Sequence, residues 1–252
     1  MSMKSITAPR LTTWLGCLAV AAVLAAICYF WLDKPIAFFS HDQLKRPQIF
    51  VWMQKIPEWF KIGAIVVLIG AGIYSLMGRV LAKPVAVLFL ASLSLVTAGA
   101  IKDHLKIVFG RYWPDTWTHD NPSLIKSDAY GLHPFQLKPF ASWYESFPSG
   151  HTTATCAVIA VLWFCWPKLR WLWALIVATV VIGLLGANFH FLGDIVAGGF
   201  VGWSVGWIAV RLWEAGGAPS VVPISAPRSA LGAPPTAPAP AATGGARETT
   251  PA

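Results

Sequence analysis

Three groups of polar residues interrupt a largely apolar chain, and each has types and spacing suited to phosphate chemistry. Pro148-Ser149-Gly150-His151 leads into an apolar run that begins at residue 151. If that run is a helix, the N–H groups at Ser149 and Gly150 point outward from its positive end, which holds anions well. Gly150 lets the backbone approach a ligand closely, and His151 is placed to give a proton to a leaving oxygen. The same residues also fit a serine N-cap followed by an interfacial histidine.

His190 and Asp194 stand four residues apart. A carboxylate held on one ring nitrogen fixes the tautomer, leaves the other nitrogen free to attack, and stabilises the positive charge that follows. The alternative is a His–Asp pair that only closes a helix end. Lys102 and Lys106 are one helical turn apart, and Gly110-Arg111 follows them. They offer two ammonium groups and a guanidinium fork to phosphate oxygens, or alternatively cationic anchors at a membrane boundary. No H-x-x-x-H and no carboxylate cluster supplies ligands for zinc or magnesium. The expected site therefore has no metal and no cofactor.

The elements that position these groups are membrane helices. Of 252 residues, 56% are hydrophobic and only 12% are charged, about half the charged share of a soluble domain. The fourteen tryptophans suit side chains placed at two membrane–water boundaries. Six apolar segments, approximately 11–32, 62–80, 84–101, 151–167, 171–191 and 194–213, come near the roughly 20 residues that span a bilayer. The fold class is therefore all-α and polytopic, with six transmembrane helices over residues 11–213. The first segment follows Lys4 and Arg10 but is too long for a signal-peptide core and lacks a small-residue cleavage site, so it reads as a retained helix. Residues 43–61 mix Trp and Phe with Lys and read as an interfacial segment. The Ala/Pro/Gly-rich tail at 216–252 reads as disordered.

Charge sets the orientation. Lys4 and Arg10 in the N-terminal stretch 1–10, the Arg79/Lys83 and Lys168/Arg170 loops, and the chain after Arg211 belong in the cytoplasm by the positive-inside rule. The opposite loops, 33–61, 102–150 and 191–194, hold every acidic residue except Glu214 and Glu248, together with all three polar groups. The net charge of +8 is scattered, with no Arg/Lys-rich run, so no nucleic-acid partner is expected. Cys17, Cys28, Cys156 and Cys165 lie in apolar runs and read as small buried hydrophobes. Gly198, Gly202 and Gly206 form a ladder that fits close packing inside a bundle or a dimer contact. The oligomeric state stays open.

In this order the groups resemble the type 2 phosphatidic acid phosphatase (PAP2) superfamily, whose pattern is K-x6-R-P, P-S-G-H and S-R-x5-H-x3-D on a six-helix bundle. The resemblance covers roughly residues 60–213 through Lys106, Pro114, Pro148–His151, His190 and Asp194. It implies a membrane phosphatase of lipid-linked phosphate or pyrophosphate, at the periplasmic side of a bacterial inner membrane. It also implies His190 as the nucleophile forming a phosphohistidine, Asp194 as its orienting partner and His151 as general acid. Lys106, Ser149 and Gly150 would hold the phosphate. The sequence departs from the pattern at Trp113 and Leu184, where arginines are expected, and at Gly183, where a serine is expected. Arg111 can stand in for the first arginine if Gly110 breaks the helix and re-aims it; Asn188 and Lys102 are further donors. The competing class is a membrane scaffold or lipid-binding protein that keeps the fold without its arginines. The partners expected are the lipid phosphate and the surrounding membrane lipids.

Overall fold

The computed structural model describes residues 8–117, 120–135, 141–216 and 220–221. Helices carry the described chain in the order α1 (Ala8–Ile27), α2 (Asp33–Phe39), α3 (Gln48–Gln54), α4 (Ile56–Leu76), α5 (Lys83–Phe109), α6 (Leu124–Ser127), α7 (Gly150–Cys165), α8 (Arg170–Gly186) and α9 (Leu192–Ala215). Among the described residues the only extended pairings are isolated bridges from Arg111 to Leu132 and Glu145 and from Trp113 to Ser123.

Five helical stretches are long and apolar enough to cross a membrane: Leu11–Leu44, Gln48–Leu76, Lys83–Phe109, Pro167–Gly186 and Leu192–Ala215. Gly150–Cys165 is a sixth, shorter apolar helix. At about 1.5 Å per residue its 16 residues fall short of a full hydrocarbon core. The shortfall is tolerated because α7 is the central helix, buried along most of its length and packed against α9, α5, α8 and α4. Leu11, Leu15, Val20 and Val23 on α1 and Ile62, Ile65, Val66 and Ile69 on α4 are exposed, as lipid-facing side chains are.

The six expected segments correspond to these helices, with shifted ends. The first continues past residue 32 through π-helical turns at Cys28–Leu32 and Ser40–Leu44. Pro35 lies in α2 just after the π-helical turn, and the helical path continues past it. The expected interfacial stretch 43–61 contains α3 and the start of α4; α3 packs on α8, where a Cβ on Gly183 would meet Gln54 N at 2.7 Å. α5 runs eight residues beyond its expected end and carries Lys102 and Lys106. The glycine ladder is a seam inside the bundle: a Cβ on Gly198 would meet Ser149 O at 2.5 Å, and one on Gly206 would meet Ala157 O at 2.6 Å.

The four cysteines are free. In the tail, Ser220 Oγ and Val221 N donate to Glu214; the rest of the expected disordered segment, like residues 1–7, lies outside the described residues.

Candidate active site

Four helix ends meet at one end of the bundle: α5 finishes there, α7 begins, α8 finishes and α9 begins. Each end has a local cause. Gly110 closes α5 in a left-handed conformation (φ 50°) and donates to Lys106 O at 2.9 Å. Ser149 caps α7, its Oγ accepting from Thr152 N at 3.4 Å. Its own N–H donates to Asp194 O at 3.0 Å, which ties the start of α7 to the start of α9. Asp194 occupies the first turn of α9, where the helix dipole favours a carboxylate. Its Oδ2 accepts from Phe191 N at 3.1 Å.

His190 lies on the turn just before α9 and is 2% exposed. Its Nδ1 is 3.6 Å from Asp194 Oδ2, beyond direct hydrogen-bond range. Ser146 fills the gap: Oγ donates to Asp194 Oδ2 at 2.6 Å and stands 3.5 Å from Nδ1. With the serine proton committed to the carboxylate, Nδ1–H faces the serine oxygen and Nε2 keeps its lone pair. Burial lowers the His190 pKa below the ordinary imidazole value, against the pull of Asp194.

The His151 ring centroid is 5.9 Å from that of His190, and Phe189 stands edge-on to both rings. His151 Nε2 lies 3.9 Å from Glu58 Oε1 on α4, which also takes Lys61 Nζ at 2.8 Å. Lys106 Nζ donates to Glu145 O at 2.6 Å and lies 5.5 Å from the Trp113 ring centroid. Lys102 runs over the start of α7, close enough that a Cβ on Gly150 would lie 3.7 Å from its Nζ. Its ammonium pairs with exposed Asp103. Lys102, Lys106, Ser149, Gly150, His151, His190 and Asp194 are therefore brought together.

Arg111 is not. Gly110 does break α5, but the guanidinium is held between Asp194 and Asp33. It is 1% exposed, with Nη1 donating to Asp194 Oδ1 at 2.5 Å and Nη2 to Asp33 Oδ2 at 2.6 Å. Burial opposes its charge, yet Asp194 and Asp33 more than compensate, so its pKa rises. Arg111, expected at the phosphate, instead has its charge taken by two buried carboxylates, Asp33 and Asp194. Among the described residues no three His, Cys, Asp or Glu side chains gather as metal ligands.

A PAP2 superfamily model matches residues 87–217, just over half of the chain. The chain belongs to the PAP2 superfamily. Among curated relatives, the lipid A 1-phosphatase of Rhizobium etli is 33% identical over 117 residues, covering 44% of each chain. The lipid A 1-phosphatase of Rhizobium johnstonii is 33% identical over 111 residues, 42% of this chain and 39% of the relative. The match spans less than half the length of either. A crystal structure of a transmembrane PAP2-type phosphatidylglycerolphosphate phosphatase from Bacillus subtilis aligns with a TM-score of 0.48 at 17% identity, covering 80% of this chain and 96% of that one.

Both absent arginines have a structural account. Leu184 is fully buried in a cluster with Val180 and Ile195, so this position faces the core. Trp113 is 7% exposed, with its ring 5.2 Å from the His190 ring and its Nε1 donating to Ser142 O at 2.9 Å. An aromatic wall thus stands where the PAP2 arginine would be. Asn188, held at φ 54°, keeps a buried Nδ2 without a hydrogen-bond partner two residues before His190.

The sequence reading missed Asp33, Ser146, Glu58 and Tyr130. Asp33 carried a usable signal, an acid at the end of an apolar run. Ser146, Glu58 and Tyr130 carried none.

Proposed function

We propose that this chain is a membrane phosphatase that removes phosphate from a lipid through a phosphohistidine at His190. The observation that carries the reading is His190 itself: buried, backed on Nδ1 by Ser146 and Asp194, with the His151 ring centroid 5.9 Å from its own. His190 Nε2 attacks phosphorus, and the P–O bond to the lipid breaks. His151 gives its proton to the departing oxygen. His151 then takes a proton from water, whose oxygen attacks the phosphohistidine; inorganic phosphate leaves and His190 is regenerated. Lys106, Lys102 and the first N–H groups of α7 at Gly150 and His151 hold the phosphoryl oxygens; the Ser149 N–H, expected among them, is committed to Asp194 O. Lys102 supplies the second cation in place of the arginines absent at Trp113 and Leu184. The chemistry needs no metal.

The substrate class is a phosphomonoester or pyrophosphate on a membrane lipid. Lipid A 1-phosphate is the first candidate, on the strength of the rhizobial relatives. The distribution of Lys and Arg supports a multi-pass inner-membrane protein with its active site facing the periplasm. The competing reading, a scaffold with the PAP2 fold, draws on the core-facing Leu184 and the aromatic Trp113.

The test is phosphate release in detergent with EDTA present, from lipid A 1-phosphate, phosphatidate, phosphatidylglycerophosphate and undecaprenyl pyrophosphate. Metal-independent turnover that disappears in His190→Ala supports the phosphatase. Turnover surviving that substitution overturns the nucleophile assignment, and no release from any lipid favours the scaffold.

A further inference from the structure

Asp33 is 1% exposed at the start of α2, directly after the π-helical turn Cys28–Leu32. Such turns re-aim the side chains that follow them and are often found at functional sites. Here the result is a carboxylate aimed inward on the face of α2 that also buries Ala37. Oδ1 accepts from Gly193 N at 2.9 Å, one residue before Asp194, and Oδ2 accepts from Arg111 Nη2 at 2.6 Å. The same Arg111 nitrogen reaches Tyr130 Oη at 3.0 Å, and that hydroxyl donates to Tyr29 O at 2.5 Å. The guanidinium sits over the Phe191, Tyr29 and Tyr130 rings at 4.3, 5.0 and 5.3 Å from their centroids. Arg111 also joins the site through its backbone, donating to Tyr144 O and accepting from Ser146 N.

We propose that Asp33 and Arg111 are positioning residues: a buried charge clamp behind Asp194 that sets how strongly Asp194 supports the cation developing on His190. The inference rests on the phosphohistidine reading above and adds a residue, Asp33, outside the family match at 87–217. The logic is one of shared charge. Arg111 alone would neutralise Asp194 and weaken its hold on an imidazolium. Asp33 draws off part of that positive charge, so Asp194 keeps enough negative potential for His190. The gaps are short enough for this to matter: 2.6 Å from Asp33 to Arg111, 2.5 Å from Arg111 to Asp194 and 3.6 Å from Asp194 to His190. Both clamp residues are 1% exposed, so their proposed action on His190 runs through Asp194 and not through contact with substrate. The other charged and titratable groups around the two histidines are Lys106 and Lys102 from α5, Glu145 beside Lys106, His151 from α7, and Glu58 and Lys61 from α4.

The test uses full-length protein in detergent. The readouts are the acid limb of the kcat/KM–pH profile, KM, and inhibition by orthovanadate as a phosphate-site probe. Asp33→Asn leaves the shape and removes the charge. The acid limb is expected to move down by about one pH unit, as for one charge roughly 10 Å away at an effective dielectric of about 20. kcat should fall about tenfold, with KM and vanadate inhibition within about twofold. The double variant Asp33→Asn/Arg111→Gln removes both charges. Arg111 is the nearer of the two, so the limb should return to the wild-type position or above it. That opposite sign keeps the idea testable even where the single variant folds poorly.

A shift in KM and vanadate inhibition with an unmoved limb would make the pair phosphate ligands and overturn the clamp. No change in any readout would overturn it as well. To separate this from failure of the phosphatase reading, the His190 ring is also titrated by NMR in histidine-labelled protein, its signal assigned by loss in His190→Gln. The same two opposite shifts are expected there without turnover, and their absence refutes the clamp whatever the enzyme hydrolyses.

Discussion

His151 can be separated from the rest of the site by the chemistry of the leaving group. Its ring centroid lies 5.9 Å from that of His190, within reach of an oxygen leaving from a phosphorus bound to Nε2. A lipid leaves as an alkoxide and needs a proton; p-nitrophenolate leaves without one. Replacing His151 with glutamine keeps the bulk packed against Phe189 and removes the proton. General acid–base catalysis contributes about 10²–10⁴, so lipid phosphate turnover by His151→Gln should drop by that factor, about 2.7–5.4 kcal/mol of barrier. With p-nitrophenyl phosphate the first chemical step should stay within roughly tenfold of wild type, because little proton transfer is required. Water attack on the phosphohistidine still lacks its base, so the intermediate accumulates. The stopped-flow trace should show a burst of about one nitrophenolate per active site, followed by slow turnover. The burst should be absent from His151→Gln/His190→Ala. Equal losses on both substrates with no burst would refute the acid–base assignment and make His151 a phosphate ligand.

Three further outcomes follow from the packing and the charges. Leu184→Arg, which restores the PAP2 residue, should not raise activity. It places an unpaired charge among Val180 and Ile195 and should cost about 3–5 kcal/mol, read as a lowered melting temperature in detergent. Gly202→Ala should destabilise by about 1–3 kcal/mol because its Cβ would meet Ala157 N at 2.8 Å on α7, whereas Gly16→Ala, with open space around it, should be neutral. The nucleophile must be neutral, and burial lowers the His190 pKa, so wild-type activity should persist as pH falls through the ordinary imidazole value of about 6.5. A kcat/KM profile whose acid limb lies above pH 7 would contradict that assignment.

Much of the candidate site was legible in the sequence because its polar groups lie at helix ends, where local signals are strong. Ser149 is a capping residue before an apolar run, and Asp194 is an acid in a first turn; each sits beside a histidine. What the sequence hid was set by contacts distant along the chain. Asp33 meets Gly193 across 160 residues, and Ser146 meets Asp194 across 48. Arg111 shows the division clearly. Gly110 told where the helix breaks, but the direction of the side chain beyond it depends on two carboxylates from other helices. Leu184 was visible as a departure from the PAP2 pattern. Its explanation, a position turned into the core against Ile195, required the packing of α8 on the start of α9. The first helix was read too short because Asp33, Lys34 and Pro35 look like an exit from the membrane, while the π-helical turns carry the chain onward to Leu44.

The central claim is the covalent intermediate, and rapid quench of a single turnover tests it most directly. Full-length protein is mixed with lipid phosphate carrying a radiolabelled phosphoryl group, quenched in base and digested. The account predicts label that survives base, is lost in acid and maps to His190. Label on another residue, label persisting in His190→Ala, or turnover with no protein-bound phosphate at any time would contradict it.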